Sequence, residues 1–159
     1  MRPRERVLAA AVDSGDRWWV GTDRALHHPA PADASTEAAY ACLPWQRIDK
    51  AEWDREAEVL RLTRTAPFGE PMPVTVVHLP DPGQLLPLLR ERVTASIVVS
   101  QPVPLRGEAS VRVMARRAPH TDDPLEWSLA FDEGLDPADP AVRSAAERAL
   151  ADVRAQVEA

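Results

Sequence analysis

Apolar and polar positions alternate or cluster in short runs over the first half of the chain, and at helical spacing in two later stretches. Val7-Leu8-Ala9-Ala10-Ala11-Val12 is an apolar run that stops at Asp13-Ser14-Gly15-Asp16, residues that favour a tight reversal. Arg17-Trp18-Trp19-Val20 follows, rich in strand formers, and stops at Gly21-Thr22-Asp23-Arg24. Ala25-Leu26-His27-His28 then makes a third strand of the meander. Residues 29–35, a Pro/Ala segment with nothing to bury, are expected to form a mobile loop.

A second group of strands is expected to begin with Ala41-Cys42-Leu43-Pro44-Trp45-Gln46-Arg47-Ile48 and to continue through Ala51-Glu52-Trp53-Asp54. In Val59-Leu60-Arg61-Leu62-Thr63, Leu60 and Leu62 alternate with their neighbours, the period of a half-buried antiparallel strand. Residues 54–58 supply a polar turn, residues 67–71 a loop, and Val74-Thr75-Val76-Val77-His78-Leu79 a β-branched strand.

The period changes after Asp81-Pro82-Gly83. Leu85, Leu86, Leu88, Leu89, Val93 and Ile97 recur at helical spacing, with Arg90, Glu91 and Arg92 opposite. Pro87 fits only if the helix starts near Gly83 or Gln84, where the first-turn N–H groups are free. Pro102 and Pro104 are expected to end whatever element Ile97-Val98-Val99 continues. Residues 110–117 and 125–131 alternate as a hairpin, with arginines on one strand facing Glu126 and Ser128 on the other. Asp139-Pro140 supplies an N-cap and a first-turn proline for a final helix whose stripe is Val142, Ala146, Ala149, Val153 and Val157. Arg143/Glu147, Arg148/Asp152 and Arg154/Glu158 are i,i+4 pairs, each supporting that helix by about 0.2–0.5 kcal/mol.

Composition narrows the chemistry. At 159 residues the chain is long enough for a true core, and its formal charge of −6 opposes binding to phosphate backbones. One cysteine, no signal-like start and no apolar run near 20 residues point to a cytoplasmic protein. Lys50 is the only lysine among many arginines, a high-GC coding bias.

The order of strand, acidic turn, Trp-rich strand and Thr-Asp-Arg-x-Leu, then Pro-Trp-x-x-Ile and Ala-Glu-Trp-Asp, resembles a bacterial pleckstrin-homology-like (PH-like) domain. The residues that carry it are Glu5-Arg6-Val7-Leu8, residues 21–26, residues 43–48 and residues 51–54. The whole chain is also similar to small proteins of high-GC actinobacteria. The resemblance implies an α+β fold: a partly open antiparallel barrel over residues 4–99, closed by a helix at 83–97. Residues 100–159 would follow as an extension, a hairpin and a long C-terminal helix packed on the barrel. In eukaryotic lipid-binding relatives the first two strands and their turn are basic. Here that turn carries Asp13 and Asp16, with only Arg17 and Arg24 flanking it, so a membrane phosphoinositide partner is not expected.

Candidate chemistry is sparse. Neighbouring His27 and His28 point to opposite faces of a strand and cannot easily chelate one ion, and neither His78 nor His120 has a partner at ligand spacing. Cys42 reads as a small buried hydrophobe at a strand start rather than a nucleophile. There is no Gly-x-Ser-x-Gly, phosphate loop, dinucleotide fingerprint or His-Glu-x-x-His. The expectation is therefore a non-catalytic interaction or scaffolding module, with no cofactor and no metal, whose partner is another protein or a second copy. Its candidate surface is Trp18 or Trp19, one of which must face outward, together with Arg112 and Arg116, which share a strand face near Arg106 and Arg117. The rival expectation is a binder of a small ligand or lipid headgroup in the barrel mouth.

Overall fold

The computed structural model describes residues 4–30, 39–67 and 70–158. Most of the expected 29–35 loop, and Phe68-Gly69 of the later loop, lie outside them. Among the described residues the fold is mixed α+β, built from three antiparallel sheets and two helices, and no sheet closes on itself into a barrel.

The first sheet has the order β1 (Val7–Val12), β2 (Trp18–Thr22), β3 (Ala25–Pro29), β4 (Tyr40–Pro44). The second runs β5 (Ile48–Asp54), β6 (Val59–Arg64), β7 (Val74–His78). This corrects the grouping of residues 41–48. Tyr40–Pro44 pairs with β3, and a single 3-10 turn at Trp45–Arg47 carries the chain from one sheet to the next. Pro44 and the turn break the run, so an apparently continuous apolar stretch serves two sheets.

Helix α1 (Leu85–Ser96) begins after Gln84, which places Pro87 in the first turn, where its missing N–H costs nothing. It packs on the inner side of the first sheet through Leu85, Leu89 and Val93. The approach is close at Gly21, where a Cβ would stand 2.6 Å from Leu88 Cδ2 and 3.0 Å from Leu85 Cδ1. Trp19, Leu26, Trp45, Ile48, Leu60 and Leu62 complete this first core with Leu85 and Leu89. Burying each large apolar side chain is worth about 1.5–3 kcal/mol.

The remaining chain builds a second core. β8 (Ile97–Arg106) follows α1 directly and pairs with β9 (Ala109–Arg116), which pairs with β10 (Glu126–Phe131). The expected hairpin is thus a three-stranded sheet, and β8 runs across the 99/100 division. The prolines do not end it, because β8 is an edge strand and a proline fits there where its missing N–H faces away from the ladder. Helix α2 (Pro140–Val157) is capped by the Asp139 carboxylate, which accepts from the Ala141 N–H. Val142, Ala146, Ala149 and Val153 are buried as the stripe requires, and Ala146, Ala149 and Val153 pack with Val111, Val113 and Leu129. Val157, the last residue of the helix, is exposed. Of the three expected ion pairs on this helix, Arg143–Glu147 and Arg154–Glu158 form, at 3.6 and 3.1 Å.

Candidate functional site

The paired tryptophans separate as alternation demands. Trp19 points inward and is 3% exposed; Trp18 points outward and is 53% exposed. Tyr40, 44% exposed on the same outer face, uses its hydroxyl to accept the Trp18 backbone N–H at 3.2 Å. That contact explains itself: β2 and β3 pair only at Val20/His27 and Gly21/Leu26, so the Trp18 N–H would otherwise lack a strand partner. Ala10, Val12 and Val20 continue the outer face between β1 and β2. Helix α1 and the second sheet lie on the inner side of these strands, and Trp18 and Tyr40 on the outer side are exposed.

Cys42 is also on this outer face, and its expected burial is wrong. Leu43 takes the inward position of β4, so the pleat turns the preceding thiol outward, opposite His27. His27 and His28 take opposite faces. His27 Nε2 lies 2.7 Å from the buried Glu5 carboxylate, which also accepts from the Thr22 hydroxyl. His28 is turned inward and stacks on Trp19, with ring centroids 5.3 Å apart. Burial lowers the His28 pKa below its ordinary value; the charges of Arg64 and His27 add to that, and the contact with the Pro29 carbonyl opposes it. Among the described residues no group of three His, Cys, Asp or Glu side chains is placed to hold a metal ion.

The acidic turn differs from its sequence reading. Asp13 does not project a charge toward an approaching headgroup; its carboxylate is buried and used up internally. Oδ1 accepts from the N–H groups of Gly15 and Arg17 at 2.8 and 3.1 Å, and Oδ2 accepts from the Trp19 indole at 3.0 Å. Arg17 Nε stands 3.3 Å from the same carboxylate. Burial pushes the carboxyl pKa up, but the Trp19, Arg17 and Gly15 hydrogen bonds and the Arg17 charge outweigh it, leaving Asp13 below its ordinary value.

Three arginines of the expected cluster each have a separate partner. Arg116 is 1% exposed, its Nη2 donating to Asp49 Oδ1 at 2.9 Å and its Nη1 to the Ser128 hydroxyl at 3.3 Å. Arg112 is exposed and donates to Ser100. Arg106 reaches Asp139 at 3.6 Å. Glu126 stands opposite Arg116 in the hairpin register, as expected, but its carboxylate accepts from Arg47 at 3.2 Å.

One polar cleft of about 350 Å³ opens where the two cores meet. Its walls are Gln46 and Arg47 of the 3-10 turn, residues 65–67 after β6, Arg116 of β9 and residues 126–128 of β10. Of these residues the sequence singled out Arg116 alone, and as surface charge, because the walls come from segments far apart in the chain, Arg47 and Glu126 by 79 positions. The nearest signal was the hairpin itself, which sets Glu126 opposite Arg116 and brings Ser128 within reach of the Arg116 guanidinium.

Compared with protein-family models, curated proteins and solved structures, the chain shows no match. Among the described residues no helix is long and apolar enough to cross a membrane.

Proposed function

We propose that the chain is a non-catalytic cytoplasmic interaction module, PH-like in arrangement, that docks another protein or a second copy on the outer face of its first sheet. The observation that carries this reading is Trp18, half-exposed beside Tyr40 on a face that no other element among the described residues covers. Large amphipathic rings of this kind anchor interfaces, because they bury much area while losing little side-chain freedom. A four-stranded and a three-stranded antiparallel sheet with α1 packed inside supports the PH-like arrangement.

The headgroup reading is weaker at the first turn, where the local cation Arg17 is already paired with Asp13. The dispersal of Arg106, Arg112 and Arg116 onto separate partners weighs in the same way against nucleic acid.

A photo-crosslinking residue in place of Trp18, introduced in cells that make the protein, tests the proposal. Discrete protein adducts are expected there and not from the same residue at Glu147 on the exposed side of α2. Equal labelling at both positions, or salt-sensitive sedimentation of the purified chain with anionic liposomes, would overturn it.

A further inference from the structure

We propose that the cleft between the two cores is a binding site for a small neutral molecule carrying an amide group. This stands apart from the outer face of the first sheet and does not depend on it.

The starting observation is an uneven distribution of unmet hydrogen bonds. Among the described residues, five buried side-chain nitrogen or oxygen atoms have no hydrogen-bond partner. One, Arg92 Nε, still lies 3.0 Å from the Glu91 carboxylate. Of the remaining four, three belong to residues lining this cleft: Gln46 Oε1, Arg116 Nε and Trp127 Nε1. A buried polar group left unpaired costs about 1–3 kcal/mol, and folded proteins keep few of them. Three around one cleft of about 350 Å³, a volume in the range of small-molecule sites, point to a partner that arrives from outside.

The chemistry of the three atoms selects the partner. Arg116 Nε and Trp127 Nε1 are donors, so they need an acceptor oxygen; Gln46 Oε1 is an acceptor and needs an N–H. Carbonyl oxygen beside N–H is the pattern of an amide. Charge argues against an anion. The Arg116 guanidinium is neutralised by Asp49 and the Arg47 guanidinium by Glu126, so the four charged groups at the cleft cancel in pairs. The Ser128 hydroxyl accepts from Arg116 and keeps its own proton to donate. Ala66 and Pro67 supply apolar wall.

The three orphan atoms are shut off from water, so binding includes a small opening. The movable parts are Arg47 and Glu126, whose side chains are 59% and 43% exposed. Breaking this exposed pair costs about 1 kcal/mol or less. Arg116, locked by Asp49, Ser128 and the Asp49 carbonyl, stays in place as the fixed side of the site.

The test is a titration of the full ¹⁵N-labelled chain with N-acetylglycinamide, a neutral diamide, following indole and Arg Nε–H resonances. The Trp127 indole signal is assigned by its loss in Trp127→Phe. Saturable shifts are expected at Trp127 and Arg116 and not at the indoles of Trp19 and Trp45, whose N–H groups are already bonded. Trp127→Phe and Gln46→Met each remove an unmet polar group while keeping shape. Both variants are expected to melt no lower than the parent and to bind the diamide at least tenfold more weakly. Absence of a saturable shift, variants that bind as well as the parent, or equal shifts with sodium acetate or inorganic phosphate would overturn the proposal.

Discussion

The two cores bury tryptophan in opposite ways. In the first, the two fully buried indoles are bonded: Trp19 to the Asp13 carboxylate, Trp45 to the Thr22 carbonyl, both at 3.0 Å. In the second, Trp127 packs against the cluster of Val111, Val113 and Leu129 with its N–H unmet. The first core is filled by large side chains around one glycine that admits α1; the second is lined by alanine and valine on α2. The contrast teaches that bulk and polar satisfaction go together here. Where the large rings are central, the chain supplies their hydrogen bonds from the turn and the strand end beside them; at the seam, it leaves groups open.

The strongest way to break the contrast is Trp45→Ala. Trp45 is fully buried and bonded, so about 3–5 kcal/mol of stability should go, measured by urea denaturation. Because the two apolar clusters are separate, hydrogen exchange should accelerate in β2 and β6 well before β9 and α2. Uniform acceleration would mean that the seam couples the cores fully. Next comes overpacking of the small-residue core: Ala146→Leu, at a position with no exposed surface, should cost about 1–3 kcal/mol in the same measurement. Asp139→Ala removes the α2 cap and should cost about 1 kcal/mol, visible as a lower midpoint without a changed slope.

The smallest effect is a pH dependence confined to the first core. Folded His28 binds its proton more weakly than the unfolded chain, where the ordinary value is 6.5. Below that value the unfolded state takes up more protons, so stability falls as pH drops from 6.5 through the lowered folded value, and is fully present above 6.5. His28→Phe, which keeps a ring against Trp19, should flatten this slope; a slope unchanged in the variant assigns it elsewhere. Asp13 acts in a separate, more acidic window, since its stabilisation is present above 3.8 and lost below it.

Much of the fold was legible because each element carries its own local signal. The Leu60/Leu62 alternation, the Asp139-Pro140 cap and the first-turn placement of Pro87 need no distant information. What escaped depended on neighbours. Whether Tyr40–Pro44 joins β3 or β5 is decided by a one-turn helix whose sequence reads as strand. Cys42 looked buried because apolar context cannot say which way a pleat faces, and Leu43 took the inward side. The same limit hid the direction of Asp13: a carboxylate in a turn reads as surface charge until an indole is found beneath it. Of the candidate surface, alternation placed one of Trp18 and Trp19 outside but could not choose between them. Arg116 changed from surface charge to buried strut because its partner, Asp49, lies 67 residues away. The cleft was illegible for that reason.

The prolines of β8 have one more consequence. An edge strand ten residues long is a template on which another chain could add a strand and start a fibril. Pro102 and Pro104 sit two apart on it, paired to Arg112 and Ser110 on the inner side. On the open side they remove two successive donors from the row that an incoming strand would need. The residues that made β8 hard to recognise are those that blunt this edge of the third sheet as a template.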